Sequence, residues 1–345
     1  MKMFSPDRRC ATIGLYGLPS TDIPFEEFYE ATLRWFSNIG IVPNELSFRA
    51  CDARKSSIFK KYKTAEAKLR KREFRDINSI YIEHSEQFDD KTTPFWTTLA
   101  ACTSGKYSSV TISIMGSDYR VTDEPLQEFV AELVRMLQPE YGIGFYRQRW
   151  MGPEYYVGGI LFGGFTVPTT LREDDETELA IGRWGDMAMN LHVWREGVIR
   201  DVYPQNYLME PVLSRTVKDQ SLREWIEADA VRGSLKQLDD RMTLWSIGEE
   251  RIDAVRKVLW DAEIIFNWRA FVDREEPKDP YVAAVSLLAF IPCRQCEQVL
   301  DVDSIAVPNG QDRVPFLVEA IKKLGWTITF APGINANCPT CSQKS

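Results

Sequence analysis

Between residues 24 and 39, Phe25, Phe28, Tyr29, Thr32, Leu33 and Phe36 recur at three- and four-residue intervals, with mostly polar side chains between them. That period puts the six on one stripe of a helix. Asp22-Ile-Pro24 precedes the stripe, and Pro24 is preset for a first helical turn. Glu26 and Glu27 suit the positive end of the helix dipole, and Gly40 closes the element. The same pattern returns over 124–138, where Leu126, Phe129, Val130, Leu133, Val134 and Leu137 form the apolar stripe and Pro139 stops it. Around these two helices lie stretches of another kind. Residues 11–18, 77–82, 109–115, 142–148 and 155–162 alternate or cluster β-formers, as strands do.

Two helices with one apolar stripe each, set among alternating strands, predict an α+β fold: an antiparallel sheet with two helices packed on one face. This first domain is expected over 1–210. A second unit is expected over 211–275. Ser221-Leu-Arg-Glu224 is a capping-box pattern. After it, 244–247 reads as a strand, 249–262 as a helix with Ile252, Val255, Val258 and Leu259 inward, and 264–268 as a second strand. Together these make a small β-α-β unit. Residues 273–280, charged and twice broken by proline, read as a linker.

The tail carries the sharpest chemical signal. Cys293-Arg-Gln-Cys296 and Cys338-Pro-Thr-Cys341 are two Cys-x-x-Cys knuckles separated by residues 297–337. Two intervening residues let both sulfurs of a pair turn onto one ion. Two such pairs supply the four soft ligands of a closed tetrahedral zinc site, which organises chain rather than activating water. The alternative is two unrelated pairs of buried thiols. The expected C-terminal zinc-knuckle module runs over 281–345, with structural Zn2+ on Cys293, Cys296, Cys338 and Cys341. It clasps an amphipathic helix bearing Val314, Leu317, Val318, Ile321 and Leu324.

Composition narrows the setting. The chain has 345 residues, too many for one ordinary core, and a formal charge of −8, which repels phosphate backbones. The cysteines outside the knuckles, Cys10, Cys51 and Cys102, are odd in number and scattered, as free thiols in a reducing compartment are. Secretory-signal features are missing from the first residues, and the apolar run over 281–292 is too short to span a bilayer, so a cytoplasmic location without membrane insertion is expected.

Catalytic constellations are not recognisable: there is no nucleophile elbow, phosphate loop or His-Glu-x-x-His pattern, and no catalytic residue is assigned. Tyr141-Gly-Ile-Gly-Phe145 lacks the third glycine and the helix of a dinucleotide loop, so Gly142 and Gly144 read as sites of close approach within a strand. Two charged runs bear on binding. Residues 54–75 are strongly basic, the pattern of a solvated helix face or of a phosphate-tracking surface. Glu173, Asp174, Asp175, Glu176 and Glu178 form an acidic cluster that is either a solvated loop or a surface complementary to a basic partner. The tail module is charge-balanced, which argues against nucleic acid as its ligand.

Tyr141-Gly-Ile-Gly-Phe-Tyr146, with Gly152-Pro-Glu-Tyr-Tyr156 behind it, and Arg200-Asp-Val-Tyr-Pro-Gln-Asn-Tyr-Leu208 carry a family likeness. With the first strand and helix, they resemble immunity proteins of bacterial polymorphic toxin systems, including those encoded beside type VI secretion effectors. The resemblance covers about residues 8–270 and leaves out the zinc module. It implies a non-enzymatic protein whose partner is one cognate toxin, bound by protein–protein interaction. It supplies no catalytic residues. The acidic cluster, with Tyr155 and Tyr156 among the aromatic residues, is the expected partner surface. The rival reading is a zinc-ribbon nucleic-acid-binding or regulatory protein, with a metalloenzyme third.

Overall fold

The computed structural model describes residues 9–19, 23–50, 61–86, 95–105, 108–160, 175–267, 290–292, 296, 299–301, 305, 313–329 and 335–342. The chain divides into two compact units, Met1–Trp268 and Arg269–Ser345.

In the first unit, β1 (Arg9–Tyr16), α1 (Phe25–Asn38), β2 (Glu45–Ala50) and α2 (Tyr62–Lys71) are followed by β3 (Ile77–Glu86), β4 (Phe95–Thr103), β5 (Ser109–Met115), α3 (Glu124–Leu137) and β6 (Tyr141–Gln148). Next come α4 (Pro153–Val157), α5 (Asp175–Arg183), one π-helical stretch (Trp184–Ala188), α6 (Met189–Leu191), β7 (Gln205–Met209) and α7 (Glu210–Leu213). The unit ends with β8 (Thr216–Val217), β9 (Gln220–Ser221), α8 (Leu222–Glu227), β10 (Ser234–Gln237), β11 (Met242–Ser246) and α9 (Ile252–Asp261). A nine-stranded sheet runs in the order β10-β11-β7-β6-β1-β5-β4-β3-β2, every neighbouring pair antiparallel.

The register lines up one apolar row across the sheet. Leu46 pairs with Ile82, Ile82 with Ala100, Ala100 with Ile112, Ile112 with Ile13, and Ile13 with Gly144. Leu46, Ile82, Ala100, Ile112 and Ile13 share one buried cluster with Phe28, Trp35 and Phe36 of α1 and Phe129, Val130 and Leu133 of α3. Trp35 and Phe129 stack with centroids 5.0 Å apart and planes 10° apart. Each large side chain so buried stabilises the fold by roughly 1.5–3 kcal/mol. Within α1, Trp35 is buried more deeply than Leu33. Gly142 and Gly144 lie where a Cβ would sit 2.7 Å from Leu15 and 2.8 Å from Ile13, so these positions have no room for a side chain.

Three local features differ from the sequence pattern. Strand β4 is buried on both faces from Trp96 to Cys102, so it shows no alternation. Where a strand is expected over 155–162, residues 155–157 end the short helix α4 and 158–159 form a turn: Gly152 has φ +57° and hands the chain to Pro153 at the first helical position. Strand β11 and helix α9 lie where the small β-α-β unit is expected, but β11 pairs with β7 inside the large sheet, and Ile265 makes one parallel bridge to Ile199. Both halves of the Ser221–Glu224 capping box are formed, at 2.8 and 3.2 Å. The linker residues 273–280 lie outside the described residues.

The second unit contains β12 (Phe290–Pro292), β13 (Val299–Asp301), α10 (Arg313–Lys323), β14 (Thr327–Thr329), β15 (Asn335–Asn337) and α11 (Pro339–Ser342). Strands β12 and β13 pair antiparallel, as do β14 and β15. Among the described residues, no helix is long and apolar enough to cross a membrane.

Candidate functional site

The sequence segments 141–146 and 152–156, and the distant 200–208, meet around one side chain, Arg200. Tyr16 on β1 faces Tyr141 on β6 across the ladder, and their rings stack at 5.6 Å. Trp194 stacks on Tyr141 at 5.8 Å, and Trp184, from the π-helical stretch, meets Tyr16 edge-on at 5.8 Å. Against this aromatic wall the Arg200 main-chain N–H donates to the Tyr141 hydroxyl at 3.0 Å. Its Nη1 donates to the Tyr156 carbonyl oxygen at 2.7 Å and to the Tyr16 hydroxyl at 3.4 Å. The guanidinium carbon lies 3.9 Å from the Tyr156 ring centroid and 5.2 Å from that of Trp184. Nη2 is buried and has no hydrogen-bond partner among the described residues.

Burial sets the electrostatics. It pushes the Tyr16 phenol up to about 12 and those of Tyr141 and Tyr203 well above the ordinary tyrosine range, so all three stay neutral at physiological pH. Burial also disfavours the charge on Arg200, but the oxygens of Tyr156, Tyr203 and Tyr16 outweigh it and hold the guanidinium protonated. The rest of the 200–208 segment is tied down locally. Asp201 Oδ1 accepts from Arg256 at 2.7 Å and from the Val202 N–H at 2.7 Å. Asn206 closes a reciprocal pair with the Tyr203 main chain at 3.1 and 2.7 Å.

Helix α4 lies over this core and divides the two tyrosines expected at the partner surface. Tyr156 turns inward: its hydroxyl shares a 2.7 Å hydrogen bond with Tyr203, and Arg147 lies 4.4 Å from its ring. Tyr155 turns out and is 39% exposed, and Ile160 just beyond is 57% exposed. The turn is anchored at Gly159, φ +65°, where a Cβ would come within 2.4 Å of the Gly185 backbone in the π-helical stretch. Below α4, Glu154 Oε1 accepts from Trp96 Nε1 at 3.2 Å and lies 3.5 Å from Arg149. Burial raises the Glu154 carboxyl above the usual range despite Arg149.

Of the acidic cluster, Glu178 is half-buried on α5 and Asp175 and Glu176 belong to the same helix, while Glu173 and Asp174 lie outside the described residues. His84 is on β3 with Nδ1 2.7 Å from the Val42 carbonyl oxygen. His192 has φ +48°, is not on a strand, and packs edge-on against Trp194 at 5.3 Å. The aromatic strap around Arg200 has no local sequence signature; an arginine among scattered aromatic residues is its only trace.

In the second unit, Cys296, Cys338 and Cys341 come together, with all three sulfurs within 4.8 Å of one another and Cys296 3.6 Å from Cys338. Cys338 is buried where β15 passes into α11, and the Cys341 N–H donates to its carbonyl at 3.0 Å, the turn that brings both sulfurs to one side. The group could hold a metal ion. Cys293 lies outside the described residues, as does Cys51. In the first unit, Cys10 and Cys102 are buried in the sheet, and burial pushes the Cys10 thiol up to about 12 and that of Cys102 higher still.

No family model matches the chain, and no curated protein matches it. Among solved structures, the chain is similar to the T6SS protein PA0821 of Pseudomonas aeruginosa, at 12% identity and a TM-score of 0.47, over 76% of this chain and 77% of that one. A second match is to the structure of the toxic C-terminal tip of CdiA from Pseudomonas aeruginosa in complex with its immune protein. It has 12% identity and a TM-score of 0.20, and covers 40% of this chain and 86% of that chain.

Proposed function

We propose that the protein is a non-enzymatic immunity-type protein, acting in the cytoplasm, that binds a cognate bacterial toxin and blocks it. The observation that carries this reading is the meeting of the resemblance-bearing segments at one place. The Tyr141 hydroxyl and the Tyr156 carbonyl bond Arg200, and the hydroxyls of Tyr156 and Tyr203 bond each other, while Tyr155 faces outward from α4. A rigid aromatic side chain on a fixed helix loses little conformational freedom on binding, which is why such residues anchor interfaces. The acidic residues Glu173, Asp174, Asp175, Glu176 and Glu178 would extend that surface toward a basic partner. Co-purification with the product of the adjacent gene, followed by binding measurements on Tyr155→Ala, tests the reading. A complex weakened at least tenfold by the substitution supports it; absence of any complex removes it.

The tail supports a separate proposal. Cys293 joins Cys296, Cys338 and Cys341 in a closed site for structural zinc over 281–345. Thiolates around a tetrahedral zinc at about 2.3 Å stand roughly 3.8 Å apart, and the 3.6 Å between Cys296 and Cys338 fits that spacing. An all-thiolate donor set suits zinc and leaves no coordination position for water.

A further inference from the structure

Among the described residues, Arg200 is the charged side chain that the fold buries, at 8% exposure. A guanidinium taken from water is ordinarily compensated by a carboxylate and by acceptors for its five N–H groups. Here Nη1 is satisfied by the Tyr156 carbonyl and the Tyr16 hydroxyl, and Nη2 by no described residue. The adjacent carboxylate, Asp201, is committed to Arg256 and to the Val202 N–H. The faces of Tyr156 and Trp184 screen the cation, but a quadrupole does not neutralise a charge. The surrounding phenols hold their protons and supply no counter-charge. Of the bonded hydroxyls of Tyr156 and Tyr203, one accepts from the other and keeps its own proton to donate elsewhere. The result is positive charge and spare donors inside an aromatic cage.

We propose that Nη2 of Arg200, buried against the rings of Tyr156 and Trp184, forms an internal site for one small monovalent anion, a halide or the carboxylate of a formate-sized acid. The inference is independent of toxin binding, because it rests on the charge balance of the cage alone. An anion there would hold α4 to the sheet through Arg200, since Tyr156 supplies both a wall of the cage and the carbonyl that Nη1 bonds.

Thermal unfolding of the full chain at matched ionic strength is the first test, with sodium bromide and sodium formate compared against sodium gluconate, whose anion is much bulkier. A ligand that binds only the folded state raises its stability in proportion to the logarithm of ligand concentration. The expected result is a midpoint several degrees higher in bromide or formate than in gluconate. A rise with both anions assigns general monovalent binding, and a rise with bromide alone assigns a halide site. Arg200→Gln should abolish the difference between salts. Should that variant not fold, the bromide anomalous signal from crystals of the unaltered protein decides: a peak at hydrogen-bonding distance from Nη2 supports the site. Equal midpoints in all three salts, or density for water alone at Nη2, would overturn it.

Discussion

Arg200 grips Tyr156 twice: Nη1 bonds the residue's main-chain carbonyl at 2.7 Å, and the guanidinium carbon lies 3.9 Å from the centre of the same residue's ring. Backbone and side chain of one α4 residue are thereby held by a single cation from a strand-side strap. This double attachment separates the roles of two consecutive tyrosines. Tyr156→Ala removes the ring that shields a buried charge and should destabilise the protein by roughly 3–5 kcal/mol in urea unfolding. Tyr155→Ala removes a ring that is 39% exposed and should cost clearly less, about 1 kcal/mol. Equal costs for the two would contradict the described orientation of α4.

The glycines that admit close approach make a second comparison. Gly144→Ala places a Cβ 2.8 Å from Ile13 Cδ1, the end of a side chain that can shift, and 2.8 Å from Gln205 Cβ, which is fixed to its strand, and should cost about 1–3 kcal/mol. Gly159→Ala combines φ +65° with the rigid Gly185 backbone 2.4 Å away and should cost more than Gly144→Ala. Chemical denaturation of the two variants gives the order.

Two carboxylates should move stability with pH in opposite senses. For Glu140, burial works against ionisation, but hydrogen bonds from Arg195 at 2.7 Å and Trp194 at 2.9 Å overcome it and lower the carboxyl below its usual range. Its contribution is therefore present above the unfolded pKa and lost as pH falls through the folded one. Burial raises Glu154, so its contribution is full below the unfolded pKa and declines as pH rises through the folded value. Glu140→Gln should weaken the protein at neutral pH and flatten its acid limb. Glu154→Gln should remove the decline above the unfolded carboxylate pKa. Unfolding midpoints measured from pH 3 to pH 7 would check both signs.

What the sequence shows of this fold follows from which interactions are local. The stripes of α1 and α3 are legible because period 3.6 is written into neighbouring residues, and all six apolar positions read for α3 are buried. Strand β4 is hidden because burial on both faces erases alternation between Trp96 and Cys102. Tyr155, Tyr156 and Val157 are β-formers, yet Gly152 in the left-handed region and Pro153 after it start a helix there. The cage is the least legible part. Its bond between Arg200 and Tyr16 joins residues 184 positions apart, and no spacing rule reaches that far. The cysteine knuckles are the opposite case, since two-residue spacing is itself the geometric constraint.

The tail gives a metal prediction. Freshly purified, reduced protein should contain about one zinc per chain by elemental analysis, in line with a closed four-thiolate site. Cys338→Ser should lower that content and loosen residues 281–345 to proteolysis while the first unit keeps its unfolding transition. Cys10→Ser should leave the zinc content unchanged.

Survival of cells expressing the product of the adjacent gene, with and without this chain, tests the central claim most directly. The account predicts that the unaltered protein restores growth, and that Tyr155→Ala combined with reversal of Glu173, Asp174 and Glu178 restores it poorly while remaining folded. Failure of the unaltered, folded protein to restore growth, together with no detectable complex between the two purified proteins, would contradict the immunity function.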